Sequence, residues 1–276
     1  MWLVLEEAEK QRPPETIKGP SPPRTEVVIE FQEVVKILSN RPILNGLSLK
    51  VYKGETLCII GPSGTGKSTT LKHLVGLMRP DRGKVFVYGE DITEFTHKQI
   101  LEMRKRFGVL FQFGALLNSM TVGQNVALPL VEHERLKRKE IERIVDEKLE
   151  MVEMLHAKHN YPSEISGGMK KRAGLARAIV RNPEIVLYDE PTSGLDPIMS
   201  NSINELIISM QNRLNITSIV VTHDMSSAYM IADRIALLHE GRVIQVGTPE
   251  EIRHTTNPVV RQFIEGRVRG PLSKKV

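Results

Sequence analysis

Gly61-Pro62-Ser63-Gly64-Thr65-Gly66-Lys67-Ser68 follows the apolar run Thr56-Leu57-Cys58-Ile59-Ile60 and precedes Thr69-Thr70-Leu71-Lys72-His73-Leu74. The octet fits G-x-x-x-x-G-K-[ST] in the context that pattern requires, a buried strand before it and a helix, expected over 68–77, after it. The residue types follow from the job. A triphosphate crowds negative charge, so its binder needs many donors at close range. Glycines let backbone N–H groups approach the oxygens without a Cβ in the way, and the helix that starts here points its N-terminal donors at the anion. At average composition the fixed positions match by chance in on the order of one chain in a hundred. The pattern assigns Gly61, Pro62, Ser63, Gly64, Thr65, Gly66, Lys67, Ser68 and Thr69 to nucleotide binding. Lys67 serves the β- and γ-phosphates, and the Ser68 hydroxyl serves Mg²⁺.

Ile185-Val186-Leu187-Tyr188-Asp189-Glu190 reads as a buried strand ending in two carboxylates. Strand ends beside a phosphate loop are where an open α/β sheet binds ligands. Asp189 is assigned to Mg²⁺. Glu190, the next residue and facing the other way along the strand, is assigned to orienting and polarising the attacking water. Gln112 follows Val109-Leu110-Phe111 and His223 follows Ile219-Val220-Val221-Thr222, so both sit at strand ends. Gln112 is assigned to sensing Mg²⁺ and the γ-phosphate, His223 to the reacting phosphate. A lone histidine after a strand is usually structural; as the fourth polar group at a strand end it becomes a catalytic candidate. The predicted catalytic set is Glu190, His223, Lys67 and Gln112, and the predicted metal set Ser68, Gln112 and Asp189.

Further strand-like runs lie at Val27–Phe31, Leu47–Val51 with alternating polarity, Lys84–Val87 and Arg234–Leu238. Between Gly114 and Val180 the pattern changes to helical spacing, with Ile141, Ile144, Val145, Leu149, Val152 and Leu155 on one stripe. Ile203, Leu206, Ile207, Met210 and Leu214 form a second stripe between two strands. Both stripes are expected to be core. Strands alternating with helices predict an α/β protein with a mostly parallel sheet, and no internal repeat is present. Residues 11–25 hold five prolines and read as a flexible leader.

The chain has 276 residues, 40% of them apolar and 26% charged, with a formal charge of +5. This bounds it to one large globular domain, or one domain with a subdomain. Basic clusters at Arg104-Lys105-Arg106, at Arg135 with Lys137-Arg138-Lys139, and at Lys170-Lys171-Arg172 are expected to be solvated surface. Cys58 is the only cysteine, so no internal disulfide forms; its apolar setting predicts a buried small side chain. No run approaches the roughly 20 apolar residues of a membrane-spanning helix, and Met1-Trp2-Leu3-Val4-Leu5 is too short for a signal sequence. A cytoplasmic protein is expected, with any membrane work done through a partner.

Ile165-Ser166-Gly167-Gly168-Met169, before the helical Lys170–Val180, resembles the signature sequence of ABC ATPases. Glu190-Pro191-Thr192-Ser193-Gly194-Leu195-Asp196 resembles their D-loop, and Thr222-His223-Asp224 their switch histidine. With the phosphate loop, these motifs resemble the family in order and spacing over roughly residues 27–250. The resemblance implies a P-loop NTPase with a RecA-like core, an antiparallel β subdomain and a helical ABC-specific subdomain at about 114–180. It divides the chain into a leader at 1–26, an ATPase domain at 27–251 and a C-terminal tail at 252–276. It also implies a homodimer in which ATP lies between the phosphate loop of one copy and Ser166, Gly167, Gly168 and Asp196 of the other. Two departures stand out. Leu38 falls where many relatives carry an aromatic residue on the adenine, and Met169 replaces the usual glutamine.

Leu110-Phe111-Gln112-Phe113-Gly114-Ala115-Leu116-Leu117, Met120-Thr121-Val122 and Asn125-Val126-Ala127-Leu128-Pro129-Leu130 are similar to the Mla-type and Mce-type lipid transport branch. So are Ser166-Gly167-Gly168-Met169 and the tail Val260-Arg261-Gln262-Phe263-Ile264-Glu265-Gly266. That likeness implies phospholipid cargo, integral membrane permease subunits, a lipid-binding Mce-domain protein and a small STAS-domain regulator as partners. It places the chain on the cytoplasmic face of the inner membrane, with no nucleic acid. The competing readings are a transport ATPase for amino acids, metals or other solutes, a soluble ABC protein acting on DNA or ribosomes, and a nucleotide-binding scaffold without turnover. The single set of motifs, and the lack of a heptad-bearing insert between Ser68 and Asp189, disfavour the DNA and ribosome forms.

Overall fold

The computed structural model describes residues 25–272. Nearly all of the proline-rich leader, and the Lys274-Lys275 end, lie outside the described residues. Two sheets form. One is a four-stranded antiparallel sheet of β1 (Val27–Leu38), β2 (Arg41–Tyr52), β4 (Arg82–Val87) and β5 (Glu90–Asp91), ordered β2-β1-β4-β5. The other holds six strands in the order β10-β9-β3-β8-β7-β6. These are β3 (Thr56–Ile60), β6 (Phe107–Leu110), β7 (Ile185–Asp189), β8 (Thr217–Val221), β9 (Arg234–His239) and β10 (Arg242–Gly247). All its pairings are parallel except the β9–β10 hairpin.

Every residue of β3 and β8 is buried, which is why these strands read as continuous apolar runs rather than alternating ones. The two faces go to different cores. Cys58, Ile60, Tyr188 and Val220 pack against the helices. Leu57, Ile59, Leu187 and Ile219 pack against the antiparallel sheet, with Phe31, Leu44, Leu47 and Val51. Leu47, Leu49 and Val51 are buried and Ser48 and Lys50 exposed, as the alternation of β2 predicts. Cys58 is fully buried.

The other helices are α1 (Lys67–Leu74), α2 (His97–Arg104), α3 (Val122–His133), α4 (Arg138–Met151), α5 (Gly167–Ile179), α6 (Pro197–Leu214), α7 (Met225–Ile231), α8 (Pro249–Arg253) and α9 (Pro258–Ile264). Between β6 and β7 the chain is helical, through α3, α4 and α5. Thr121 opens α3 with a capping box to Gln124. Asn125, fully buried, accepts from Leu117 N–H at 2.7 Å and donates to the carbonyls of Leu117, Met120 and Thr121, so it holds the preceding loop in shape.

Three expectations need correction. The helix after the phosphate loop stops at Leu74, where Gly76 turns away at φ +63°. Helix α4 ends at Met151 with Val152 of the stripe still buried at its C-cap, but Leu155 lies in a short 3₁₀ turn and is 41% exposed. The cluster Lys170-Lys171-Arg172 is not solvated surface. α5 packs on several sides, so Lys171 is buried, and Arg172 is tied to Val152 O and Ser202 Oγ. In the tail, Val260 and Gln262 are buried, and the Leu272 N–H folds back onto Gln262 Oε1 at 2.6 Å.

Candidate active site

Because β3, β8, β7 and β6 are parallel neighbours, their carboxyl ends share one edge of the sheet. That edge carries the phosphate loop, His223, Asp189 with Glu190, and Gln112. The loop leaves β3 at Gly61 with φ +148°, where a Cβ would lie 2.2 Å from Leu238 O. Only glycine fits. Gly66, at φ +102°, precedes α1, and a Cβ there would strike Ile43 O at 2.8 Å. No side chain caps α1 and no acidic residue sits in its first turn. The N-terminal donors are therefore left for an anion. Ser63 and Gly64 are exposed at the rim, Pro62 and Thr69 are half-buried, and Thr65 Oγ1 closes the loop onto Pro62 O at 2.9 Å.

Lys67 Nζ is curled into the loop, donating to Gly61 O at 2.8 Å and Pro62 O at 3.1 Å. Burial lowers its pKa from the usual lysine value, with Glu190 and then Asp189 pulling the other way. Ser68 Oγ donates to Asp189 Oδ1 at 2.9 Å, across the intervening strand β8. Burial raises the Asp189 pKa; the Ser68 hydrogen bond opposes this and Glu190 adds to it. A hydroxyl and a carboxylate oxygen in contact, with the lysine beside them, form a hard-oxygen donor set suited to a small divalent cation that also takes phosphate oxygens.

Glu190 corrects one detail of the sequence reading. It does not continue the strand with its side chain reversed. The backbone turns at Glu190 to φ +51°, the left-handed region, and its N–H donates to Val221 O at 2.9 Å. This swings the carboxylate over the sheet edge, where Oε2 meets His223 Nδ1 at 2.9 Å. His223 is largely exposed. Gln112, half-buried, donates from its amide to Ser193 Oγ at 3.3 Å, which ties it to the stretch after Glu190. Asp189, Ser68, Lys67, Glu190 and His223 thus share one cluster, with Gln112 joined to it through Ser193.

The remaining predicted residues sit elsewhere in the chain. Ser166 caps α5, its Oγ accepting from Met169 N–H at 3.3 Å. Ser166 and Gly167 are exposed, and a Cβ on Gly167 would meet open space. Gly168 packs against Met199. Asp196 caps α6, accepting from Ile198 N–H at 2.9 Å and Met199 N–H at 3.0 Å, and the neighbouring Ile198 is 81% exposed. Sequence reasoning missed Lys171, whose Nζ donates to Glu190 O at 3.0 Å. It also missed Arg177, which donates to the carbonyls of Gly114 and Ala115 just after Gln112. A charge at a position facing the apolar stripe of a helix was the available signal for Lys171.

The profile of the ABC transporter family matches residues 44–193, more than half of the chain. The chain belongs to the ABC transporter family. This ABC transporter ATPase is 43% identical over 246 residues to a probable ribonucleotide transport ATP-binding protein, mkl, of Mycobacterium leprae, covering 89% of this chain and 71% of that one. It is 40% identical over 248 residues to the intermembrane phospholipid transport system ATP-binding protein MlaF of Haemophilus influenzae, covering 90% and 94%. Among solved structures it resembles a dimeric ATP-binding cassette in a post-hydrolysis state bound to ADP and Pi. There the TM-score is 0.74 at 30% identity, over 80% of this chain and 98% of the other. As an ABC ATPase the protein binds and hydrolyses ATP, and the cluster at the sheet edge has the groups that chemistry needs.

Proposed function

We propose that this ATPase powers phospholipid movement through a membrane permease. The carrying observation is its likeness to the phospholipid transport ATP-binding protein over nearly the whole of that chain. The stretch Gln112–Leu130, with Phe111 just before it, supports it: Phe111, Phe113 and Leu117 are exposed where they are free to meet a membrane subunit. In this reading residues 27–251 are the ATPase domain, about 114–180 are its helical subdomain, and 252–276 are a tail that joins protomers or docks a regulator. The protein sits on the cytoplasmic face of the inner membrane. A permease, an Mce-domain lipid-binding protein and a small STAS-domain regulator are its partners. No helix among the described residues is long and apolar enough to cross a membrane.

Two copies face each other. ATP lies between Gly61–Thr69 of one and Ser166, Gly167, Gly168 and Asp196 of the other. The open surface at Gly167 and the exposed Ile198 support this, since neither has a partner side to face within its own chain. Lys67 serves the β- and γ-phosphates, Glu190 polarises the attacking water, His223 steadies Glu190 and the phosphate, and Gln112 reports to the helical subdomain. Mg²⁺ would be held by Ser68 and Asp189, with Gln112 beside them, and would neutralise charge on the phosphate oxygens.

Asp189 gives a thermal test of the metal assignment. Its raised pKa means the folded chain holds that proton more tightly than the unfolded chain. The associated stability is full below the ordinary carboxylate range and is lost as pH rises through the raised value. At neutral pH the ionised group therefore costs stability when no cation is bound. Asp189→Asn is expected to raise the nucleotide-free Tm at pH 7 by roughly 2–4 °C and to lose the stabilisation given by Mg²⁺ with ATP. Thermal melts with and without both ligands check it, and a lower nucleotide-free Tm would contradict it.

The cargo is tested by purifying the chain in its membrane complex and identifying the other subunits and any bound small molecules by mass spectrometry. Phospholipid and an Mce-domain subunit are the expected result. A solute-binding subunit, or a ribonucleotide in place of lipid, overturns the lipid reading and leaves the ATPase intact.

A further inference from the structure

Lys171 is a buried charge with no part in the reading above. It lies on α5, is 4% exposed, and donates to the Glu190 main-chain oxygen at 3.0 Å. The same oxygen accepts from Ser193 N–H at 3.2 Å, while the Glu190 N–H is held by Val221 O. The Glu190 peptide is thus gripped from three sides, by the sheet, by the following turn and by α5. It needs that grip, because φ +51° is a region that favours glycine and not glutamate. Burial lowers the Lys171 pKa to about 8, against the opposing attraction of Glu190. An ammonium so poorly solvated is costly to keep unless its contact is used.

We propose that Lys171 is a positioning residue that ties Glu190 of one ATP site to the signature motif serving the other. The proposal rests on the assignments of Glu190 and Ser166 above. Glu190 acts on nucleotide in its own chain's phosphate loop. Ser166, at the N-terminus of the same α5, faces nucleotide held by the second copy. One rigid helix therefore carries a group addressed to each site. When Ser166 takes up a phosphate, α5 settles, and Lys171 sets the Glu190 peptide with it. Arg177, two turns further along, binds the carbonyls of Gly114 and Ala115, so the same helix also follows the loop after Gln112. In this proposal the hydrogen bond, made to a backbone in a sparsely populated conformation, takes two positions that both sites bias.

The test is steady-state hydrolysis by the full chain in its membrane complex, with melting temperatures measured alongside. Lys171→Met is expected to lower kcat about tenfold with KM for ATP within about twofold, and Lys171→Arg to recover most of the rate. Ser166→Ala alone also lowers kcat. The double variant is expected to cost no more than the larger single loss, because both changes break one link. Lys171→Gln, too short to reach the carbonyl, gives the same pattern if Lys171→Met does not fold. Wild-type kcat in folded Lys171→Met or Lys171→Gln overturns the proposal, as do multiplicative losses in the double variant. Glu190→Gln separates the two levels: wild-type turnover there removes the assignment beneath the proposal, whereas trapped ATP with additive Lys171 and Ser166 effects removes the proposal alone.

Discussion

Glu190→Gln cuts ATP turnover by about 10²–10³-fold and leaves the nucleotide bound. The substitution is close to isosteric, so the site is not reshaped. The backbone contacts that hold residue 190, from Val221 O, Ser193 N–H and Lys171 Nζ, use the main chain and survive. What disappears is an oxygen able to draw a proton from water, together with the charge that faces His223 Nδ1 at 2.9 Å. The groups proposed to bind phosphate, Lys67 and the start of α1, are untouched, so affinity for ATP is expected to stay near the wild-type value. Binding without hydrolysis then accumulates the ATP-loaded dimer. Phosphate release reads the first effect, and gel filtration with ATP reads the second. A rate within about threefold of wild type would take the water-polarising role away from Glu190.

The phosphate loop and the strand ends were legible because their chemistry is local. Gly61, Gly66, Lys67 and Ser68 recur at fixed spacing in one short stretch, although the atoms that exclude a Cβ at Gly61 and Gly66, Leu238 O and Ile43 O, come from distant parts of the chain. The parallel core was legible for a similar reason. A strand buried on both faces must be apolar throughout, as β3 and β8 are. The hairpin partner β10 and the short helices after it were not legible. β10 has half-buried side chains without a clean alternation, because it lies at an edge of the sheet.

The geometry of Glu190 was hidden as well. Two adjacent carboxylates at a strand end predict opposite faces only while the strand continues, and here it stops between them. The turn is held by Lys171, and contacts that distant in sequence leave no local pattern. Lys171 also shows how a basic run misleads. Three consecutive cations look like solvated surface, yet a helix turns about 100° per residue, so one of the three can point inward. Gln112 was correctly placed at a strand end, but its partner Ser193 lies on the loop after Glu190, a pairing visible only once β6 and β7 are seen side by side.

Ser166→Arg is expected to abolish turnover by about 10² or more while ATP binding to the chain's own loop stays within about threefold. Within one chain Ser166 does little. Its hydroxyl makes a loose cap to Met169 N–H at 3.3 Å, and losing such a cap costs only about 1 kcal/mol, too little to unfold the domain. Gly167 beside it opens onto empty space, so an arginine is accommodated in the isolated chain. The harm arises only where a second copy brings its nucleotide to this helix end. There the arginine fills the space meant for phosphate, and the donors of α5 cannot close on the charge that develops during transfer. The same change placed on Glu190→Gln should dissolve the trapped dimer, so the double variant elutes as a monomer with ATP bound. Hydrolysis by Ser166→Arg at the wild-type rate, unchanged on dilution, would mean that a single chain holds a complete site. The exposed signature surface would then have no catalytic purpose.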